Sequence, residues 1–312
     1  MTSWELDRFE SRRSTVYAPQ GVVVTSQPLA AEAGVKVLRD GGNAFDAAVA
    51  TAAALNVVEP TSTGLGGDVF ALYRTADGDM GAMRACGGAP EAATRERVVT
   101  ALAREQDVSP GEVEMPVRGP HTVTVPGTAR GWETTVDELG RQSLRSVLQP
   151  AIRYATEGFP VTEVVAAQWA HGDEVFTAEN ARSAYLPDGA PPAVGQHVRL
   201  PALGESLQRV ADCGADAVYE GEIAEAIATE VQSAGGFMTV EDLASFHPEF
   251  LDPISTTYNG VEVYELPPSN QGLIALEALN IAEELDAGEE SYDSPARVHA
   301  FAEATKRAFH DG

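Results

Sequence analysis

The sequence predicts an α+β fold. Segments of helical spacing are mixed with short β runs that pair across tight turns, at Asn259-Gly260 and at Ala76-Asp77-Gly78-Asp79, and turns of that length join antiparallel strands. A doubly wound parallel sheet, which needs strand and helix to alternate, fits the order less well. No internal repeat and no low-complexity tract interrupts the pattern.

In chain order, Val22–Val24 is a β-branched run and reads as a buried strand. Leu29–Leu38 has helical spacing and stops at Gly41-Gly42, the residues expected past a helix C-terminus. Asn43 with Asp46 three residues later forms a capping box for a helix over Ala44–Leu55. That helix is apolar nearly all round, so it belongs in the interior. Gly64-Leu65-Gly66-Gly67 leads into a strand at Val69–Arg74, which turns back into Met80–Ala85. Val123–Val125 ends at Pro126-Gly127, and helices follow over Gly131–Leu139 and Leu144–Glu157. The stretch Leu186–Pro201, with four prolines and two glycines, reads as a long surface connection. Helices return at Leu203–Cys213 and Glu220–Ala234, and Thr239 with Asp242 caps a short one. Thr256–Tyr258 and Val261–Tyr264 form a hairpin, Gln271–Glu284 is helical, and Ser294-Pro295 opens a helix still running at His310. Because the chain stops inside that helix, a continuation is expected.

Composition limits the partners. The 312 residues carry 47 acidic and 21 basic side chains, a formal charge of −26. Nucleic acid and anionic membrane are therefore poor partners. Lys36 and Lys306 are the only lysines, so arginine supplies 19 of the 21 basic residues. An acidic, lysine-poor surface reads either as salt adaptation or as an ordinary acidic enzyme with a biased base composition. Two cysteines, Cys86 and Cys213, make no disulfide framework, which favours a reducing cytosol. Residues 1–20 carry charges without an apolar run, unlike a signal peptide, and no stretch approaches the roughly 18 apolar residues of a membrane span. The expectation is a soluble, cytoplasmic protein.

The residues alone complete no catalytic constellation. Gly64-x-Gly66 lacks a third glycine, since position 69 is Val69, so the dinucleotide fingerprint is broken. A tight backbone turn or a backbone-amide anion site remains. No phosphate-loop lysine, no C-x-x-C and no G-x-S-x-G elbow occurs. His299 and Glu303 share a helix face but read as a surface pair. Metal and cofactor are expected to be absent. Cys86 is a candidate nucleophile that reads more readily as a small buried thiol.

Read as connected text, the segments resemble one family. Ser26-Gln27-Pro28-Leu29-Ala30, the run from Leu38 through Asp40-Gly41-Gly42-Asn43-Ala44-Phe45-Asp46 to Ala50, Val57-Val58-Glu59-Pro60 and Gly64-Leu65-Gly66-Gly67 resemble the N-terminal part of gamma-glutamyltransferases. Val123–Gly127 with Gly131-Trp132, Pro150-Ala151-Ile152, Glu157-Gly158-Phe159-Pro160, Gly235-Gly236-Phe237, Glu241-Asp242-Leu243, Glu265–Pro268 and Gln271-Gly272 continue it in order. The resemblance implies a lead over residues 1–20 and a large-subunit portion over residues 21–312. It implies part of a four-layer αββα sandwich of the N-terminal nucleophile hydrolase type, lacking its C-terminal small subunit. In such enzymes a proenzyme cuts itself before a threonine, whose hydroxyl becomes the nucleophile and whose freed amine acts as base. A gamma-glutamyl group, usually from glutathione, then passes to water, an amino acid or a peptide, with backbone amides stabilising the oxyanion.

The sequence departs from the complete pattern in two ways. No Thr-Thr-His occurs, so the resemblance puts the nucleophile beyond Gly312 and no catalytic residue within the chain. Internal threonines such as Thr61 and Thr122 read as strand and turn residues. Second, well-known members grip the glutamate α-carboxylate with an arginine four residues before an Ala-Pro pair, a two-donor grip suited to guanidinium. Here that position is Cys86, ahead of Ala89-Pro90, and the nearest arginine is Arg84. Two positions along a strand keep the face but move the side chain by roughly 6–7 Å. Arg84 is therefore the candidate substrate-binding residue, as a displaced anchor, unless the donor is not a glutamyl compound. The competing expectations are a relative acting on another amide, such as an acylase, and a non-catalytic module that has lost its nucleophile half.

Overall fold

Helix formation at the amino-terminal end follows from local hydrogen bonds. The computed structural model describes residues 15–312, so most of the lead over residues 1–20 lies outside the described residues. The buried side chain of Gln27 accepts the Leu29 N–H at 2.7 Å and opens α1 (Pro28–Arg39). Asn43 Oδ1 accepts the N–H groups of Phe45 (3.0 Å) and Asp46 (3.1 Å), and Asp46 Oδ2 accepts that of Asn43 (2.8 Å). This is the capping box read from the sequence, and it opens α2 (Ala44–Val58).

α2 is the axis of the molecule. Its apolar circumference, including Val49, Ala53, Ala54 and Val57, is buried against α1 and against α4 (Thr128–Leu139) and α5 (Leu144–Glu157). Asp46 is fully buried on α2, and its carboxylate accepts the N–H groups of Arg141 (3.0 Å) and Gln142 (3.2 Å) in the turn between α4 and α5. Asn43 Nδ2 donates to Leu139 O at 2.7 Å in the same turn. The Asn43–Asp46 box therefore caps one helix and clamps it to two others.

The sheet is small. β1 (Val69–Arg74) and β2 (Met80–Ala85) pair antiparallel in the register Val69↔Ala85 through Arg74↔Met80. The other side of β2 takes β5 (Glu249–Leu251), with Arg84 opposite Glu249. α4 lies against β1 and β2. Between them in sequence come α3 (Arg95–Gln106), β3 (Phe159–Pro160), α6 (Glu163–Trp169), α7 (Gly172–Val175), α8 (Glu179–Tyr185) and β4 (His197–Val198). α9 (Pro201–Cys213), α10 (Asp216–Tyr219), α11 (Gly221–Ser233) and α12 (Val240–Ala244) follow. The chain closes with the hairpin β6 (Ile254–Tyr258) and β7 (Val261–Glu265), then α13 (Gly272–Glu284) and α14 (Pro295–Asp311). Every strand pair among the described residues is antiparallel. Helices with antiparallel strands make the α+β class.

Two cores result. The main one runs from α1 to Phe246 and buries Trp132, Leu148, Phe159, Trp169 and Leu207. A second, separate cluster of Ala282, Ala287 and Ala304 lies between α13 and α14, with Tyr258 and Phe301 against it. The C-terminal unit, residues 254–312, thus has a small interior of its own.

Two expectations are corrected, and one helix carries no signal in the sequence. Val22–Val24 is extended but unpaired, with Val22 and Val24 exposed at 62% and 89%, because no described strand comes alongside to bond its backbone. Leu186–Pro201 is not wholly a surface connection. Leu186, Val198 and Leu200 are buried, and Val198 pairs with Phe159, since its apolar residues have a core to fill even where prolines forbid long elements. α3 escapes a hydrophobic reading because only Leu102 of its residues is buried; Thr94 caps it and charged residues cover the rest.

Asp46→Ala leaves the N–H groups of Asn43, Arg141 and Gln142 without their carboxylate partner and should destabilise the protein by about 3 kcal/mol. Urea unfolding checks this, with Asp40→Ala as the control: Asp40 pairs with Lys36 on the exposed surface, and its loss should stay within about 0.5 kcal/mol.

Candidate functional site

A cleft of about 550 Å³ opens where β2 ends, lined by Cys86, Gly88, Val125, Glu241, Ser245 and His247 among others. Backbone contact builds its floor. Gly87 N donates to Val125 O at 3.1 Å and Val125 N to Gly88 O at 3.0 Å, so the strand-like segment Val123–Val125 lies beside Cys86–Gly88. A Cβ on Gly87 would sit 2.3 Å from Val125 O, and one on Gly127 would sit 1.9 Å from Ala85 O. Only glycine permits both approaches.

The glycine run Gly64–Gly67 is a turn. Gly67 N bonds Gly64 O at 3.0 Å, while Gly67 O accepts the N–H groups of Gly127 (2.8 Å) and Thr128 (2.9 Å) at the start of α4. The Gly67 carbonyl thus occupies two donors at the start of α4. The turn also delivers Asp68 to Cys86. Burial, followed by the hydrogen bond to Asp68 and its negative charge, pushes the Cys86 thiol up to about 11 against a smaller opposing effect of Arg84. The upward shift favours the protonated thiol, the less nucleophilic form, at Cys86.

The opposite wall hangs on Asp242. Its carboxylate accepts the Glu91 N–H (2.8 Å), the Thr239 N–H (2.9 Å) and the Thr239 hydroxyl (2.8 Å). It thereby completes the cap of α12 and ties Glu91 beside it. Desolvation raises the Asp242 carboxyl, but the three hydrogen bonds outweigh it and the net shift is downward. Glu91, Glu241 and Asp242 line the cleft, and among the described residues no arginine or lysine does.

Arg84 stands on β2 just before the cleft, with all three side-chain nitrogens engaged. Nε and one terminal nitrogen donate to Glu249 Oε2 at 3.1 and 2.6 Å, and the other donates to Pro268 O at 2.7 Å. The guanidinium proposed from the sequence as a carboxylate anchor therefore already holds a carboxylate of its own chain. Glu303 pairs with Lys306 at 2.8 Å. Among the described residues, no group of three or more His, Cys, Asp or Glu is placed to hold a metal ion, and no helix is long and apolar enough to cross a membrane. Asp68, Glu249 and His247 carry no sequence signal as site residues; Glu249, for one, meets Arg84 from 165 positions away.

The helix-rich α+β fold of this chain superposes on those of solved relatives. The sequence model described as Gamma-glutamyltranspeptidase matches residues 30–312. A glutathione hydrolase-like proenzyme of Bacillus subtilis, YwrD, is 37% identical over 303 residues, which is 95% of this chain and 55% of that protein. The gamma-glutamyltranspeptidase of Helicobacter pylori superposes with a TM-score of 0.86 at 30% identity, covering 96% of this chain and 84% of that one. A cephalosporin acylase of Bacillus halodurans also gives 0.86, at 40% identity, with 99% of this chain and 57% of that chain covered. The chain belongs to the gamma-glutamyltranspeptidase family, whose members are enzymes. It spans about half the length of the curated relatives it matches.

Two measurements check the electrostatics. Asp242→Asn should lower thermal stability at neutral pH. Because the folded-state carboxyl is held below its unfolded value, its contribution is present above about pH 4 and is lost as the pH falls through the folded value, so the gap from wild type should close on acidification. A gap that widens in acid contradicts the assignment. Iodoacetamide at pH 8 should label the exposed Cys213 first, while the Cys86 rate keeps climbing beyond pH 10.

Proposed function

We propose that this chain is the large-subunit portion of an amide-cleaving acyltransferase or hydrolase whose nucleophile is an autoprocessed threonine beyond residue 312. The observation that carries the reading is the family match over residues 30–312 to relatives named as proenzymes, of which the chain spans about half. In this reading the threonine hydroxyl attacks the donor amide carbon, the freed amine takes its proton, and the amine leaving group departs. Water, an amino acid or a peptide then releases the acyl group. The segment after residue 312 is the small subunit. Pairing partners for Val22–Val24 and for the edge of β1 would come from it, completing a four-layer αββα sandwich.

Two donor classes compete. A glutathione-type gamma-glutamyl donor fits the family name and the glutathione hydrolase relatives. A non-glutamyl amide is favoured by Cys86 at the anchor position four residues before Pro90, by the engagement of Arg84 with Glu249, and by a cleft lining without arginine or lysine among the described residues. The two free cysteines support placing the protein in the reducing cytoplasm, and the charge of −26 supports salt adaptation.

Expression of the full-length protein tests the assignment. It should convert from one chain to two, and alanine in place of the threonine at the cut should abolish conversion and all amide hydrolysis. An uncut chain with no activity on glutathione or on acyl amides overturns the proposal. Turnover of acyl amides without glutamate release from glutathione selects the acylase reading.

A further inference from the structure

We propose that Arg84 is a positioning residue that ties the start of β5 and the segment after β7 to one point on the main sheet, and so sets the placement of the C-terminal unit. The geometry is local and complete. Glu249 faces Arg84 directly across the β2–β5 ladder, and two guanidinium nitrogens converge on one of its oxygens at 3.1 and 2.6 Å. The third nitrogen reaches Pro268 O at 2.7 Å, beyond the end of β7. Glu249 is the first residue of β5, three positions before the chain leaves the sheet for the hairpin, and Pro268 lies past the end of β7 on the way to α13. One planar fork therefore closes the base of the excursion that carries β6 and β7.

That closure matters because the unit beyond it has little else to orient it. α13 packs on α14 and on the hairpin, and the cluster of Ala282, Ala287 and Ala304 is separate from the main core. The Arg84 side chain is only 21% exposed, so its charge-assisted bonds are partly shielded from water. A lysine at this position would keep the charge but could not hold the carboxylate and the carbonyl together in one plane. A substrate carboxylate could use Arg84 only by displacing Glu249, which the strand register holds in place.

The consequence for catalysis rests on the proposed function. α14 ends at Asp311, and the proposed processing threonine follows it. Pinning the hairpin base then places the segment to be cut, and Arg84 acts on self-processing without contact with substrate.

The test uses the full-length protein and two readouts. Hydrogen exchange in Arg84→Gln should accelerate about tenfold over β6, β7 and α13 relative to wild type, while α1 and α2 remain unchanged. Arg84→Lys should fall between. Glu249→Gln, which keeps the side-chain shape, should reproduce the acceleration, and the double variant should exceed neither single one, because both break the same contact. Self-cleavage should slow several-fold in Arg84→Gln and Glu249→Gln alike, with the KM of the matured enzyme unchanged. Unchanged exchange over β6–α13 in both single variants overturns the proposal. So does a raised KM in Arg84→Gln accompanied by a lowered KM in Glu249→Gln, the pattern of a substrate anchor released from a competitor. If Arg84→Gln unfolds globally, Glu249→Gln decides alone. A wild-type protein that is never cut removes the proposed function, yet the exchange comparison still decides the role of Arg84.

Discussion

The buried carboxylate of Asp46 is the contact on which the rest of the helical layer depends. A polar group without solvent is tolerable only if its hydrogen-bonding capacity is met, and three backbone N–H groups from two separate segments bond its oxygens. The same bonds fix the rotation of α2 relative to α4 and α5. Since α2 is apolar on all sides, packing alone would leave that rotation weakly specified. Polar satisfaction supplies the register that hydrophobic burial cannot.

From that fixed layer the cleft follows by steric necessity. α4 can approach the end of β2 only because Gly127 places no side chain against Ala85 O. The Gly64–Gly67 turn then docks its carbonyl on the start of α4 and brings Asp68 to Cys86. What results is a lining with Glu91, Glu241 and Asp242, without arginine or lysine among the described residues, and with the Cys86 thiol at its floor. A donor bearing a free carboxylate enters such a place at an electrostatic disadvantage, which is why the family membership and the substrate are separate questions.

The junction at Arg84 shows how one side chain changes meaning with its surroundings. In sequence it is the nearest arginine to a vacant anchor position. In the fold, Glu249 from 165 positions away meets it across a ladder, and Pro268 O meets its remaining donor. An arginine so placed organises the chain itself.

The local sequence determined a great deal: the two capping boxes, the β1–β2 and β6–β7 hairpins, α1, α2, α5 and the final helix, and through ordered motifs the family. These features depend on contacts within a few residues, so the pattern that encodes them can be read in one window. Tertiary structure alone decided the rest. Val22–Val24 has the composition of a strand, but a strand exists only when a neighbour bonds it. Asp46 was legible as a cap and not as the clamp on Arg141 and Gln142, because those donors lie about a hundred positions away. The roles of Cys86 and Arg84 were undecided for the same reason. A charge or a thiol acquires its chemistry from the groups that the fold sets beside it, and no spacing along the chain states which groups those are.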